Sequence, residues 1–293
     1  MICELCPRRC RAVRTADKPG GVCGCEATAR IARAALHFGE EPCISGTRGS
    51  STIFFCGCSL GCVFCQNADI SRGMAGKVVD SQRLQAIFGE LAAQGAHNLN
   101  LVTPTHYTEA ILSAFSLGKP QIPVVWNSSG YERPQTLRRL EGAVQVYMPD
   151  LKYSDPAVAA RYSHAPDYFE AAKAAILEMY RQTGPVQLDA DGLLKRGVLI
   201  RHLILPGNLQ NTFGVIDWIR DTFQDGEVLF SLMAQYTPIG DLSAYPEISR
   251  PLSPQEYEAA QDYLFDSGWE DGFIQDLEAA GPDFIPDFDM TGV

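Results

Sequence analysis

Residues 54–67 read FFCGCSLGCVFCQN and place Cys56, Cys58, Cys62 and Cys65 within ten positions. Thiols at that density are metal ligands or redox groups when they do not form a disulfide knot. All ten cysteines fall in the first 65 residues, so disulfides do not staple the whole chain. The spacing Cys58-x3-Cys62-x2-Cys65 has three readings. On a helix, steps of four and three put the three side chains on one face, as small core residues. Gly57 and Gly61 make that helix poor, and the preceding TIFF run places the segment in a loop at a strand end. A loop that turns three thiolates inward can hold three irons of a cubane cluster. A closed zinc site needs a fourth ligand, for which Cys56 is at hand.

A second set lies at the N-terminus, where Cys3-x2-Cys6-x3-Cys10 is followed by Cys23-x-Cys25. Cys3, Cys6, Cys10 and Cys23 are enough for a tetrahedral sulfur site, which suits zinc or an iron–sulfur centre equally; free thiols are the plain alternative. Cys43, in EEPCISG, reads as a buried small residue.

The elements that must position these groups follow from periodicity. STIFFCG reads as a buried strand, and DSQRLQAIFGELAAQG as a helix begun by Asp80 or Ser81 and ended by Gly95. NLNLVTP, IPVVWNSSG, AVQVYMPD, GVLIRHLILPG and EVLFSLMAQY are further strands. Helices are expected at YTEAILSAFSLGKP, DYFEAAKAAILEMYRQ and FGVIDWIRDTF. Alternation of this kind predicts parallel strands joined by right-handed crossovers, covered on both faces. About six βα units are countable, fewer than the eight of a closed barrel. Polar residues gather where the strands finish: Thr103, Thr105 and His106; Asn127 and Ser128; Asp150 and Lys152; Gln235. Ligands of parallel sheets sit beyond those ends, so they form one candidate pocket rim. His97 and Asn98, ahead of the second strand, read as structural. The chain divides into a Cys-rich N-terminal element (1–50), an α/β domain (51–250), and a C-terminal helix with an irregular acidic tail (251–293).

The cysteine loop now carries a resemblance. C-x3-C-x2-C just after the first strand of a βα domain, with Phe64 before the last cysteine, resembles the signature of the radical SAM superfamily. CSLGCVFCQN is similar to the activating enzymes of pyruvate formate-lyase and other glycyl-radical enzymes. The longer pattern, from CELCPRRC through HFGEEPCISGTRG, NLNLVTPTHY, IPVVWNSSGY, YMPDLKYSD and RHLILPG to MAQYTP, resembles one poorly characterised branch of them over nearly the whole chain. The resemblance implies an α/β fold, a partial (β/α)6 radical SAM barrel with an N-terminal Cys-rich extension. It implies that Cys58, Cys62 and Cys65 hold a [4Fe–4S] cluster, that S-adenosyl-L-methionine (SAM) occupies the open iron, and that Cys56 is spare. Its SAM contacts would come from Phe64, Thr103, Thr105, His106, Asn127, Ser128, Asp150, Lys152, Arg201 and His202. Many relatives carry Gly-Gly-Glu at the end of the second strand to bind the methionine amino group; this chain has TPTH, Thr103–His106, there.

The expected activity is reductive cleavage of SAM to a 5′-deoxyadenosyl radical that abstracts hydrogen. A glycyl-radical enzyme is the first candidate target, a small metabolite or peptide the second, and a non-enzymatic iron–sulfur electron carrier the third reading. Arg8, Arg9, Arg11 and Arg14 are either a solvated basic face or a guide for a flavodoxin- or ferredoxin-type donor. The formal charge of −11 and pI near 4.9 argue against nucleic acid as the main partner. No apolar run reaches the ~18 residues that span a bilayer, and MICELCPRRC lacks the core of a signal peptide. A cytoplasmic protein is the expectation.

Overall fold

The computed structural model describes residues 2–277 and 286–293. Positions 278–285 of the expected acidic tail lie outside the described residues. Ten strands form one sheet: β1 (Ala29–His37), β2 (Ser50–Phe55), β3 (Lys77–Val79), β4 (Leu99–Val102), β5 (Val124–Ser128), β6 (Val146–Pro149), β7 (Gln187–Leu188), β8 (Leu194–Leu203), β9 (Leu229–Met233) and β10 (Gly272–Ile274). Their spatial order is β10-β9-β8-β6-β5-β4-β2-β1-β3, with β7 paired to β8. From β2 to β10 every neighbouring pair on this path is parallel. This is the open partial barrel that six βα units require. β1 is a correction: the Cys-rich region holds a nine-residue strand, antiparallel to both β2 and β3. Its small alternating residues carry too weak an apolar signal, and pairing on two sides supplies what local pattern does not.

The helices form where the periodicity places them. Ser81–Ala93 starts on Asp80, whose side chain accepts from the Arg83 amide, and buries Leu84, Ile87, Phe88 and Leu91. Pro254–Asp266 starts with a capping box between Ser253 and Glu256. Alternate strand residues sort into two layers. Ile53, Phe55, Leu99, Leu101, Trp126, Tyr147, Val198, Ile200, Phe230 and Leu232 join the large helix-covered core. Val125, Val146, Met148, Leu199 and Leu229 face the lumen and pack on Cys43 and Ile44.

That second cluster explains the segment between β1 and β2. The turn of helix Pro42–Ser45 drives Cys43 and Ile44 into the lower lumen and plugs it. Asn98 holds the plug, its amide donating to the Ile44 carbonyl at 2.7 Å while its oxygen accepts from Ser50 Oγ at 2.6 Å. His97 Nε2 accepts from the Arg48 amide at 3.1 Å. Above the plug, Glu40 and Glu41 become the floor of the lumen, while the strand ends open at the opposite side. The C-terminal residues return beside β1, where Met290 N donates to Ala32 O (2.9 Å) and Phe288 packs edge-on against Phe54.

Candidate active site

The cysteine loop leaves β2 at Phe55 and turns at Gly57, whose φ of +83° suits glycine. A Cβ there would stand 2.0 Å from Cys25 Sγ and 2.9 Å from the Cys23 carbonyl. The loop is therefore pressed against the N-terminal element, and Arg8 makes the joint. Its guanidinium donates to the carbonyls of Ser59 (2.9 Å), Leu60 (3.1 Å) and Ser163 (2.7 Å), and to that of His164. Arg72 holds the carbonyls of Gly61, at 3.2 Å, and Cys62. With carbonyls drawn outward by two arginines, the three thiols turn inward.

Each of those thiols faces at least one donor. Leu60 N lies 3.4 Å from Cys58 Sγ, Ser163 Oγ 3.1 Å from Cys62 Sγ, and Ser71 Oγ 3.4 Å from Cys65 Sγ. All three line one cavity of about 240 Å³. Burial first, then the neighbouring Cys62 and Cys65, push the Cys58 thiol up to about 12. A convergent thiolate set with a hydrogen bond to each sulfur is a donor set fitted to an iron–sulfur cluster, whose potential such bonds tune. Cys56 takes no part. It is fully buried with its thiol 3.4 Å from the Ala75 carbonyl, in a separate cluster with Ala32, Phe54 and Ile70.

From the thiols a chain of ion pairs runs down the lumen. Lys152 Nζ lies 2.7 Å from Asp150 Oδ2, and Arg201 Nε 2.9 Å from Asp150 Oδ1. Arg201 continues to Glu40 Oε2 at 3.0 Å and to Asn127 Oδ1 at 2.8 Å. Burial raises the Asp150 carboxyl, but Lys152 and Arg201 outweigh it and hold it below its ordinary value. For Lys152, burial works against the charge; Asp150 and then Cys62 more than restore it. Thr103, in the left-handed region at φ +57°, Asn127, Ser128 and Phe64 also line the cavity. Phe64 packs edge-on against Tyr162 and Tyr236, at 6.2 and 6.0 Å between centroids.

Three expected contacts stand elsewhere. His202 is fully buried on the helix side of β8, with Nδ1 2.7 Å from the Leu151 carbonyl and Nε2 3.0 Å from Thr212 Oγ1. It alternates with Arg201, so one of the two must point away from the lumen. His106 sits beneath the cysteine loop, its Nε2 2.8 Å from the Cys56 carbonyl. Thr105 donates to buried Glu132 at 2.8 Å, a carboxylate that also accepts from Trp126 Nε1 (2.8 Å) and Ser128 Oγ (2.6 Å). These three brace the strand ends rather than line the cavity.

The lining residues that the sequence reading did not single out include Glu40, Glu41, Met233 and Gln275. The acid pair ahead of Pro42 was visible, but nothing local tells an acid on a lumen floor from one in a solvated loop.

The arginines of the N-terminal element divide in two. Arg14 is only 5% exposed; it donates to the carbonyls of Cys25 (3.0 Å) and His106 (2.9 Å) and to Cys3 Sγ (3.5 Å). With Arg8 engaged as above, only Arg9 and Arg11 are exposed, so the expected four-residue basic face is reduced to two. Among the described residues no group of three or more His, Cys, Asp or Glu side chains is gathered closely enough to hold a single metal ion. No described helix is long and apolar enough to cross a membrane.

Residues 44–166 match the family described as a 4Fe-4S single cluster domain. The uncharacterized protein MJ0674 of Methanocaldococcus jannaschii is 32% identical over 268 residues, which cover 88% of this chain and 72% of that protein. Solved structures give lower likenesses. SuiB of Streptococcus suis, bound to S-adenosylmethionine, is 14% identical with a TM-score of 0.46; the match covers 80% of this chain and 48% of SuiB, so the chain spans about half of SuiB's length. QueE of Escherichia coli is 10% identical with a TM-score of 0.47, covering 85% of this chain and 94% of QueE. Neither likeness bears on substrate or partner. With 32% identity over most of both chains, the protein belongs to one family with the Methanocaldococcus jannaschii protein, and its cysteine loop at the end of the first parallel strand lies inside the stretch that matches the 4Fe-4S single cluster domain.

Proposed function

We propose that this chain is an enzyme in which Cys58, Cys62 and Cys65 hold the [4Fe–4S] cluster and the cavity beneath them holds SAM and substrate. The observation that carries the reading is the convergence of three hydrogen-bonded thiols on a cavity walled by Lys152, Asp150 and Arg201. When bound, the cluster and SAM supply a 5′-deoxyadenosyl radical that abstracts hydrogen from the substrate. The protein's own part is binding, orientation and exclusion of water. Lys152 offers its charge to the SAM carboxylate, with Asp150 fixing its position. Phe64, braced by two tyrosines, offers a face to the nucleoside. The Thr103 backbone and hydroxyl are offered to the SAM amino group, in place of the Gly-Gly-Glu that many relatives carry at the end of this strand.

Two targets are consistent with the family resemblance, a glycyl-radical enzyme and a small molecule. The acidic lumen floor favours the small molecule, since a protein-surface glycine needs no buried carboxylates beneath it. An electron donor of the flavodoxin or ferredoxin type supplies the reducing equivalent.

Cys3, Cys6, Cys10 and Cys23 form a second sulfur-ligated centre, iron–sulfur or zinc. What supports it is their spacing along one short knuckle of chain, although the four thiols are not drawn in closely enough to hold a single metal ion. Ile2 bridges to Val13, Cys3 N donates to the Ala12 carbonyl at 2.9 Å, and a Cβ on Gly21 would stand 2.8 Å from Cys10 Sγ.

The test is the anaerobic iron and zinc content of wild type, Cys58→Ala and Cys6→Ala, with 5′-deoxyadenosine measured under reduction. Loss of about four irons in each variant indicates two clusters, and zinc lost with Cys6→Ala indicates the other centre. Absence of 5′-deoxyadenosine from reconstituted wild type with every reductant sinks the enzyme reading. Cys56→Ala should keep both iron and cleavage.

A further inference from the structure

The lumen floor holds more hydrogen-bond acceptors than the described residues satisfy. Glu41 is 4% exposed and lines the cavity, and neither of its carboxylate oxygens accepts a hydrogen bond from a described residue. Among the described residues its one ion-pair contact is Arg201, with Nη1 3.6 Å from Oε2. That guanidinium is already committed to Asp150, Glu40 and Asn127. Gln275 Oε1, which lines the cavity, is a further buried acceptor without a partner among the described residues, while the Ser231 hydroxyl, on β9, stands close beside Glu41 short of full hydrogen-bond geometry, a single neutral donor for two carboxylate oxygens.

The charges point the same way. The linked groups are two cations, Lys152 and Arg201, and three carboxylates, Asp150, Glu40 and Glu41. Burial pushes the Glu41 carboxyl up from its ordinary value despite Arg201, and a positive group placed against it would hold it ionised. In the reading proposed above, SAM does not supply it. Its amino and carboxylate groups belong at the cluster, whereas Glu41 lies at the far end of the chain from Lys152 through Asp150 and Arg201.

We propose that the lumen floor receives the ammonium group of an amine-bearing substrate, held by Glu41 with Ser231 and Gln275 around it. An ammonium brings three N–H donors and one positive charge in a compact head, which is what the floor lacks. The substrate then stands with its ammonium down and its carbon chain rising toward the cluster. This deepens the enzyme reading by naming the substrate class, and it rests on that reading.

The test is calorimetric titration of the anaerobically reconstituted, SAM-loaded full chain with n-butylammonium chloride. Parallel arms use 1-butanol, tetramethylammonium, sodium and potassium. The expected result is binding of n-butylammonium, weakened at least tenfold by Glu41→Gln, with no binding of the alcohol or tetramethylammonium. Ser231→Ala, which keeps the carboxylate, should weaken it severalfold and serves if Glu41→Gln does not fold. The proposal is overturned if n-butylammonium does not bind wild type, if neither variant weakens it, or if sodium or potassium binds the floor and the amine does not. It is overturned equally if Glu41→Gln weakens SAM as much as the amine, for the floor then belongs to SAM. Failure of 5′-deoxyadenosine formation is scored separately, so the amine site and the radical chemistry stand or fall by different measurements.

Discussion

Replacing Arg8 by alanine should loosen the cysteine loop without touching a single thiol. The side chain ties four carbonyls, of Ser59, Leu60, Ser163 and His164, and lies over the Tyr131 ring at 5.4 Å. A hydrogen bond from a charged donor is worth about 1.5–3 kcal/mol when buried. Arg8 is half-buried, and water can reach some of the released carbonyls, so roughly 1 kcal/mol per bond is the better figure. Over four bonds the expected loss is about 4 kcal/mol, or about 6–7 °C in Tm for a chain of this size. The loop is where the loss is felt, because Ser59 and Leu60 lie between the proposed ligands Cys58 and Cys62. Arg8→Ala should therefore release iron to a chelator several times faster than wild type. Arg8→Lys should fall between, since an ammonium keeps the charge but loses the planar fork. Scanning calorimetry and the rate of anaerobic iron release measure the two effects. A variant within about 1 °C of wild type that releases iron at the same rate would refute the claim that this joint holds the loop.

Gly57→Ala should prevent stable cluster assembly. It combines a left-handed backbone with a Cβ 2.0 Å from Cys25 Sγ, and Cys25→Ala should rescue it only in part because the Cys23 carbonyl, at 2.9 Å, remains in the way; iron content of the single and double variants decides. Asp150→Asn leaves Lys152 and Arg201 without their shared carboxylate, at a cost of about 3–5 kcal/mol. Urea unfolding should show it, together with weaker SAM binding. Acidification should destabilise the fold through His106 and His202. Burial, partly offset by the Cys56 and Leu151 carbonyls, holds these two imidazoles down at about 4, against an ordinary 6.5. The unfolded chain binds the extra protons between those values. The contribution is thus complete above pH 6.5 and falls toward pH 4 by up to about 1.4 kcal/mol per unit for each histidine. His202→Gln should flatten the dependence measured by urea unfolding between pH 7.5 and 5; an unchanged slope would place its proton uptake elsewhere.

What the amino-acid sequence determined by itself is what depends on near neighbours. The spacing of Cys58, Cys62 and Cys65 carried the proposed cluster site because one short loop supplies all three thiols. Helix Ser81–Ala93 was legible because its cap, its apolar stripe and its Gly95 stop are local. The parallel strands were legible as apolar runs between helices. Which side of a strand faces the lumen is a different matter, since burial on both faces erases the alternation that would reveal it. Arg201 and His202 are adjacent in RHLIL, yet only closure of the sheet sends the first to Asp150 and the second to Thr212. Arg8 and Arg14 look like surface charge until the N-terminal element docks and backbone carbonyls claim them. Glu40 and Glu41 belong to no periodic element, and the tertiary structure alone decided their role. The turn after them plugs the barrel with Cys43 and Ile44, and that packing lifts two acids from an ordinary loop to the floor of the cavity.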